Sequence, residues 1–247
     1  MRLFARKPSK SKGPIPVPSP QALNPLLVSG GTAEWDKTFD LPPDVLRFGY
    51  YPDVTKLLPG DLILTCDMNP DWTSRLIAHF QKSLCDSPQW THAAMYMGGK
   101  GQIVEATFES LFDRTNGVKV GLLSDYFQTH YILVRRLPNS AVYSKDPGDS
   151  IKCMDARWQL VVSAMKHMRR PYGFFQLRKF IGKGFAVIKI YTQPSKLVCS
   201  TLYEAAAVDA VGKVLCGGGT ASPGMLAETV DLDTVSISWV KIRTKDM

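Results

Sequence analysis

The chain has 247 residues with a formal net charge of +8, and its apolar (45%) and charged (21%) fractions are those of a globular protein, which excludes disorder along its whole length. No apolar run reaches the about 18 residues that a membrane-spanning helix needs, and the basic start leads into proline-rich sequence instead of an apolar signal core. The expectation is a protein without a transmembrane segment, either cytoplasmic or exported without a standard signal peptide. Arg2, Arg6, Lys7, Lys10 and Lys12 supply five of the eight excess charges, and no nucleic-acid-binding motif accompanies them. The charge therefore reads as a solvated tail, with contact to an anionic membrane as its alternative use and nucleic acid excluded as a partner.

Residues 1–40 carry Pro14, Pro16, Pro18, Pro20 and Pro25 among Ser and Gly and are read as a basic, disordered tail or linker. The folded domain is expected over residues 41–247. Its first strand is Asp61 to Thr65, after the Pro59-Gly60 turn. Asp71 to Leu84 continues the chain as an amphipathic helix that Asp71 can cap, with Trp72, Leu76, Ile77, Phe80 and Leu84 at helical spacing. Thr91 to Met97 and Gln102 to Thr107 flank Gly98-Gly99-Lys100-Gly101 as a hairpin, because glycines accept the positive φ of a tight turn. Tyr131 to Leu137 is a further strand. Ile151, Met154, Trp158, Val161, Val162, Met165 and Met168 mark a long helix, and Cys199 to Val211 marks another. Hairpin-ordered strands with helices on either side in sequence give an α+β class, a central antiparallel sheet packed against helices.

The hairpin brings an imidazole to a carboxylate. A two-residue turn at Gly98-Gly99 sets Glu105 directly opposite His92. A four-residue turn over Gly98 to Gly101 sets Thr107 opposite His92 and leaves Glu105 diagonal on the same face. Either register lets the carboxylate orient the histidine and stabilise it as imidazolium. Asp113 and Asp125 are alternative orienting acids, but no register ties them to His92. His79, His130 and His167 lack ligand spacing to other His or Cys residues and are read as packing or surface residues.

Five cysteines, none in a C-x-x-C pair, fit a reducing compartment better than a disulfide framework or a zinc site. One of them, Cys199, stands at the start of a helix-forming run. Unpaired N–H groups and the positive end of the helix dipole stabilise a thiolate there. A buried structural cysteine is the alternative reading.

The ordered set Pro59-Gly60-Asp61-Leu62-Ile63-Leu64, Thr91-His92 through Gly98, Val104-Glu105-Ala106, Tyr131 to Leu137, Pro171-Tyr172-Gly173 and Val198-Cys199-Ser200-Thr201-Leu202 spans roughly residues 55–210. In this order it resembles the circularly permuted papain-like hydrolases of the NlpC superfamily, especially the YiiX-type branch, and more distantly lecithin retinol acyltransferase. The resemblance implies a permuted papain-like fold with the catalytic cysteine at a helix N-terminus. It implies Cys199 as nucleophile, His92 as general base, Glu105 as orienting group and Tyr172 near the oxyanion. Where relatives carry an acidic or amide residue after the cysteine-serine pair, this chain has Thr201.

The resemblance further implies cysteine-dependent acyl hydrolysis or transfer, most simply by an amidase or peptidase acting on cell-wall-type peptides. A lipid acyl hydrolase or acyltransferase is the second reading, and a non-catalytic interaction module on the same fold the third. No cofactor is called for. Residues 174–191 mix aromatic and aliphatic residues with Arg178, Lys179, Lys183 and Lys189, and are read as core packing or as a lid for an acyl chain or an anionic membrane.

Overall fold

The computed structural model describes residues 28–35, 50–99, 101–107, 117–127, 129–169, 199–216 and 221–244. Within these residues the strands and helices run in chain order as β1 (Val28–Trp35), β2 (Tyr50–Pro52), β3 (Leu62–Asp67), α1 (Trp72–Gln81), β4 (His92–Tyr96), β5 (Gln102–Thr107), β6 (Gly117–Leu122), β7 (His130–Arg136), α2 (Asn139–Val142), α3 (Ser150–Met165), α4 (Cys199–Val211), α5 (Pro223–Glu228), β8 (Asp233–Val235) and β9 (Ser238–Thr244). A short 3-10 turn, Leu123–Tyr126, joins β6 to β7. The chain is α+β, built on a six-stranded sheet in the order β6-β5-β4-β3-β7-β8 with every neighbouring pair antiparallel.

Both faces of the sheet are buried, so its central strands carry apolar residues at nearly every position. On one face Leu62, Leu64, Ala93, Met95, Val104 and Ala106 meet Leu160 and Ala164 of α3 and Leu202, Tyr203 and Ala206 of α4. On the other, Ile63, Ala94, Tyr96, Ile103, Ile132 and Val134 meet Leu123, Phe127, Ile237 and Trp239. Each fully buried aliphatic side chain contributes about 1.5–3 kcal/mol. Trp239 belongs to β9, the middle strand of a second, three-stranded sheet ordered β1-β9-β2. Among the described residues no helix is long and apolar enough to cross a membrane.

Three features depart from the expected pattern. Residues 28–35, inside the stretch read as tail, form β1, which pairs in parallel with β9 from Val28↔Ser238 to Trp35↔Thr244. The proline run stops at Pro25, and the residues after it are free to donate to a ladder. Residues 1–27 and 36–49 lie outside the described set, and with them the expected boundary near residue 40. Helix α1 is capped by Asp71, whose Oδ1 accepts from Ser74 N at 2.7 Å, but it ends at Gln81, short of Leu84. The buried Gln81 amide turns instead to the loop beyond the helix, donating to Pro88 O (3.1 Å) and Trp90 O (2.9 Å) while its oxygen accepts from Gly224 N (2.8 Å).

Helix α3 is the third departure: it forms over Ser150–Met165 but presents a different face from the apolar stripe expected of it. Ile151, Trp158, Val162 and Met165 are exposed, whereas Cys153, Arg157, Leu160, Val161, Ser163 and Ala164 are buried. Arg157 can lie inward because its Nη2 donates to Leu137 O at 2.8 Å and to Asn139 Oδ1 at 3.0 Å. A periodicity count that scores arginine as polar cannot see that solution.

Candidate active site

The hairpin takes the longer turn. Ala94 pairs with Glu105, Met95 with Val104 and Tyr96 with Ile103, and Met97 N donates to Gln102 O at 2.9 Å. Gly98, Gly99 and Gly101 all have positive φ, between 64° and 83°. A residue with a Cβ is strained at such angles, so glycine suits all three positions of the turn that this register requires. The directly opposed arrangement of His92 and Glu105 is thereby ruled out. The diagonal one holds, and the longer reach of the glutamate closes the gap.

His92 is the first residue of β4, so its ring stands at the end of the sheet. Its Nε2 lies 2.8 Å from Glu105 Oε2. Cys199 lies close enough to the ring to act on its titration together with Glu105. Cys199 is the first residue of α4, is buried, and packs with the apolar cluster between that helix and the sheet. A hairpin pair and a cysteine about a hundred residues further along the chain are thus brought near one another. Tyr172 and Asp113, and all of residues 174–191, lie outside the described residues. Asp125 is exposed and sits on the 3-10 turn after β6.

The electrostatics of the trio are set by which groups face one another. Burial alone would push the His92 imidazole towards neutrality, but its hydrogen bonds to Cys199 and Glu105 and the charges of those two groups outweigh it and raise its pKa to about 10. The shift favours the cationic form of the ring. About a fifth of the side chain is still exposed. Burial would raise the Glu105 carboxyl, yet the hydrogen bond and charge of His92, then Tyr126 and Lys119, hold it below its ordinary value of 4.5.

Tyr126 is the residue that sequence reasoning missed. Its hydroxyl donates to Glu105 Oε2 at 2.5 Å, and its ring stacks on His92 with centroids 5.8 Å apart and planes at 24°. Burial, then the charge and hydrogen bond of Glu105, push the phenol pKa well up, so it remains a donor. His130, read as a packing residue, places its ring edge-on to Tyr126 at 4.9 Å, and burial lowers its pKa. No periodicity or motif marks Tyr126. The nearest signal is its neighbour Asp125, which attracts notice as an acid while the functional contact belongs to the next residue along.

The other cysteines sit in different surroundings. Burial raises the thiol pKa of Cys66 and Cys85, and raises that of Cys216 to about 11. All five cysteines are free thiols. Among the described residues there is no group of three or more His, Cys, Asp or Glu side chains that could hold a metal ion.

No protein-family model matches the sequence, and no curated protein does. Among solved structures, the chain is similar to one described as the metalloprotein YiiX of Escherichia coli O157:H7, DUF1105, at 16% sequence identity and a TM-score of 0.47, covering 72% of this chain and 96% of that one.

Proposed function

We propose that the chain is a cysteine-dependent acyl hydrolase on a permuted papain-like fold, in which Cys199 is the nucleophile, His92 the proton shuttle and Glu105 the orienting acid, with amide or peptide substrates of the cell-wall type as the first choice. The observation that carries this reading is the position of His92, 2.8 Å from a buried carboxylate and near enough to the Cys199 thiol for it to act on the ring's titration. A structural cysteine needs neither partner.

The proposed reaction starts from the Cys199 thiolate paired with the His92 imidazolium, the form of the ring that the Glu105 carboxylate favours. The Cys199 sulfur forms a bond to the substrate carbonyl carbon, and the carbonyl electron pair moves onto oxygen. Backbone N–H groups of the first turn of α4 are the donors available to that oxyanion. Tyr172 is assigned to the same task by resemblance. The oxyanion collapses, the C–N bond breaks, and His92 gives its proton to the departing amine. Neutral His92 then takes a proton from water as the water oxygen attacks the thioester. The C–S bond breaks, the acid leaves, and the site returns to thiolate and imidazolium.

Labelling with iodoacetamide at pH 6, followed peptide by peptide, tests the site without a known substrate. Cys199 should react far faster than Cys66, Cys85 and Cys216, and His92→Ala should remove most of that advantage. Equal labelling of all four thiols would overturn the reading. Assays on muropeptides and on phospholipid vesicles, each with Cys199→Ala as control, then choose the substrate class. Cys199-dependent release of fatty acid without peptide cleavage would move the assignment to lipid acyl chemistry.

A further inference from the structure

We infer that Tyr126 and Gly121 act together as positioning residues that hold the Glu105 carboxylate in place for His92. The inference rests on the proposed catalytic reading and adds two residues that the reading does not require.

The two oxygens of Glu105 are restrained in different ways. Oε2 receives both donors, His92 Nε2 at 2.8 Å and the Tyr126 hydroxyl at 2.5 Å. Oε1 lies over the neighbouring strand, where a Cβ built on Gly121 would stand 2.7 Å from it. Gly121 pairs with Ile103 in the β5–β6 ladder, and its φ is not among the positive ones, so the backbone there would accept an L-residue. What a Cβ there would meet is the far end of the Glu105 side chain, which would have to shift. The other atoms near that Cβ are at 3.4 Å or more, which makes the carboxylate oxygen the one contact that must give way.

Tyr126 is itself held. Its ring lies between the imidazoles of His92 and His130. Phe127, the next residue, is buried and packs edge-on against Trp239 of β9 with ring centroids 4.9 Å apart. The 3-10 turn is therefore pinned beneath, and the hydroxyl is delivered to one place. The charged and titratable groups around the carboxylate are His92 from β4, Lys119 from β6 and Tyr126 from the turn, with Asp125, His130 and Cys199 around the tyrosine and histidine. A carboxylate that accepts two hydrogen bonds on one oxygen and finds room over Gly121 for the other presents its charge to the imidazole in a set orientation, and pre-set orientation is what a proton shuttle needs.

The test uses the full chain and the rate of Cys199 labelling by iodoacetamide from pH 4 to pH 9. Tyr126→Phe removes one hydrogen bond to a charged acceptor and keeps the ring. It should lower the rate near pH 6 by roughly ten- to a hundredfold. It should also move the acid-side fall of the profile to higher pH, because a carboxylate that loses a donor protonates more readily. Gly121→Ala should do the same by displacing the carboxylate while every donor remains. A residue of merely structural importance would change the melting temperature without moving the acid limb. If either variant melts as the wild type does and its profile superimposes on that of wild type, the clamp is overturned. If wild-type labelling is indifferent to His92→Ala, the catalytic reading fails first and the clamp with it. If labelling depends on His92 but not on Tyr126, the clamp alone fails.

Discussion

Two buried carboxylates stand in or beside the same sheet and have opposite characters. Asp61, just before β3, is fully buried and accepts a two-pronged guanidinium contact, from Arg136 Nε to Oδ1 at 2.7 Å and from Nη2 to Oδ2 at 2.6 Å. Leu58 N adds a third donor at 2.8 Å, and Arg136 is tied down further by Lys56 O at 2.7 Å. Glu105 is nearly as buried, but its partners are an imidazole and a phenol. The rigid guanidinium fork holds both carboxylate oxygens at once, so the Asp61 pair is a fixed joint between β3 and β7. Histidine can change its charge in the working range of an enzyme, so in the proposed mechanism the same kind of buried acid would serve a proton-handling pair. The identity of the partner, more than the burial of the acid, separates the structural site from the functional one.

The comparison can be broken most forcefully at Asp61. Asp61→Ala leaves the Arg136 guanidinium without its anion and should destabilise the fold by about 3 kcal/mol, read from urea unfolding. The Cys199 labelling rate of the folded fraction should stay within about twofold of wild type, well below the loss that a hydrogen bond to charge would produce. A large loss of labelling with stability intact would merge the two roles. Glu105→Gln should give the reverse pattern: the Cys199 labelling rate at pH 6 falls roughly ten- to a hundredfold, and the urea midpoint moves little, because the amide keeps an oxygen for Tyr126.

The smallest effect concerns pH. The His92 pKa is raised from 6.5 to about 10, so the stability that its charged form contributes is complete below pH 6.5 and is lost as pH rises through about 10. Glu105 is shifted the other way, and its contribution is complete above pH 4.5 and lost as pH falls below that value. Melting temperature measured across pH 6.5 to 10 should decline more steeply in wild type than in His92→Ala. Parallel curves would show that the imidazole is not held as a cation by its neighbours.

The hairpin was legible because three glycines and two chemical groups lie within about 15 residues and the turn permits only even registers that join them. Even so, the choice between two registers needed the structure, since glycine count alone does not set turn length. The capping of α1 by Asp71 was equally local and equally readable. What escaped the sequence was contributed by distant segments. Tyr126 reaches Glu105 from a 3-10 turn with no hydrophobic period of its own, and β1 reaches β9 from the far side of the chain. The face of α3 was misjudged because Arg157 finds two carbonyl-type acceptors inside, at Leu137 and Asn139, which no local pattern announces. The pairing of Cys199 with His92 was expected only from the family resemblance, because no local signal in the sequence links them.

The three-stranded sheet has a consequence for how the molecule is made. Its middle strand, β9, is the last described element of the chain, and its parallel partner β1 is the first. On a ribosome, β1 leaves the exit tunnel long before β9 exists, and it must wait unpaired while the six-stranded sheet assembles from nearer neighbours. Trp239 arrives with β9, and with it the surface on which Phe127 rests. Newly made chains should therefore acquire the hairpin first and the support beneath Tyr126 only once β9 has been made.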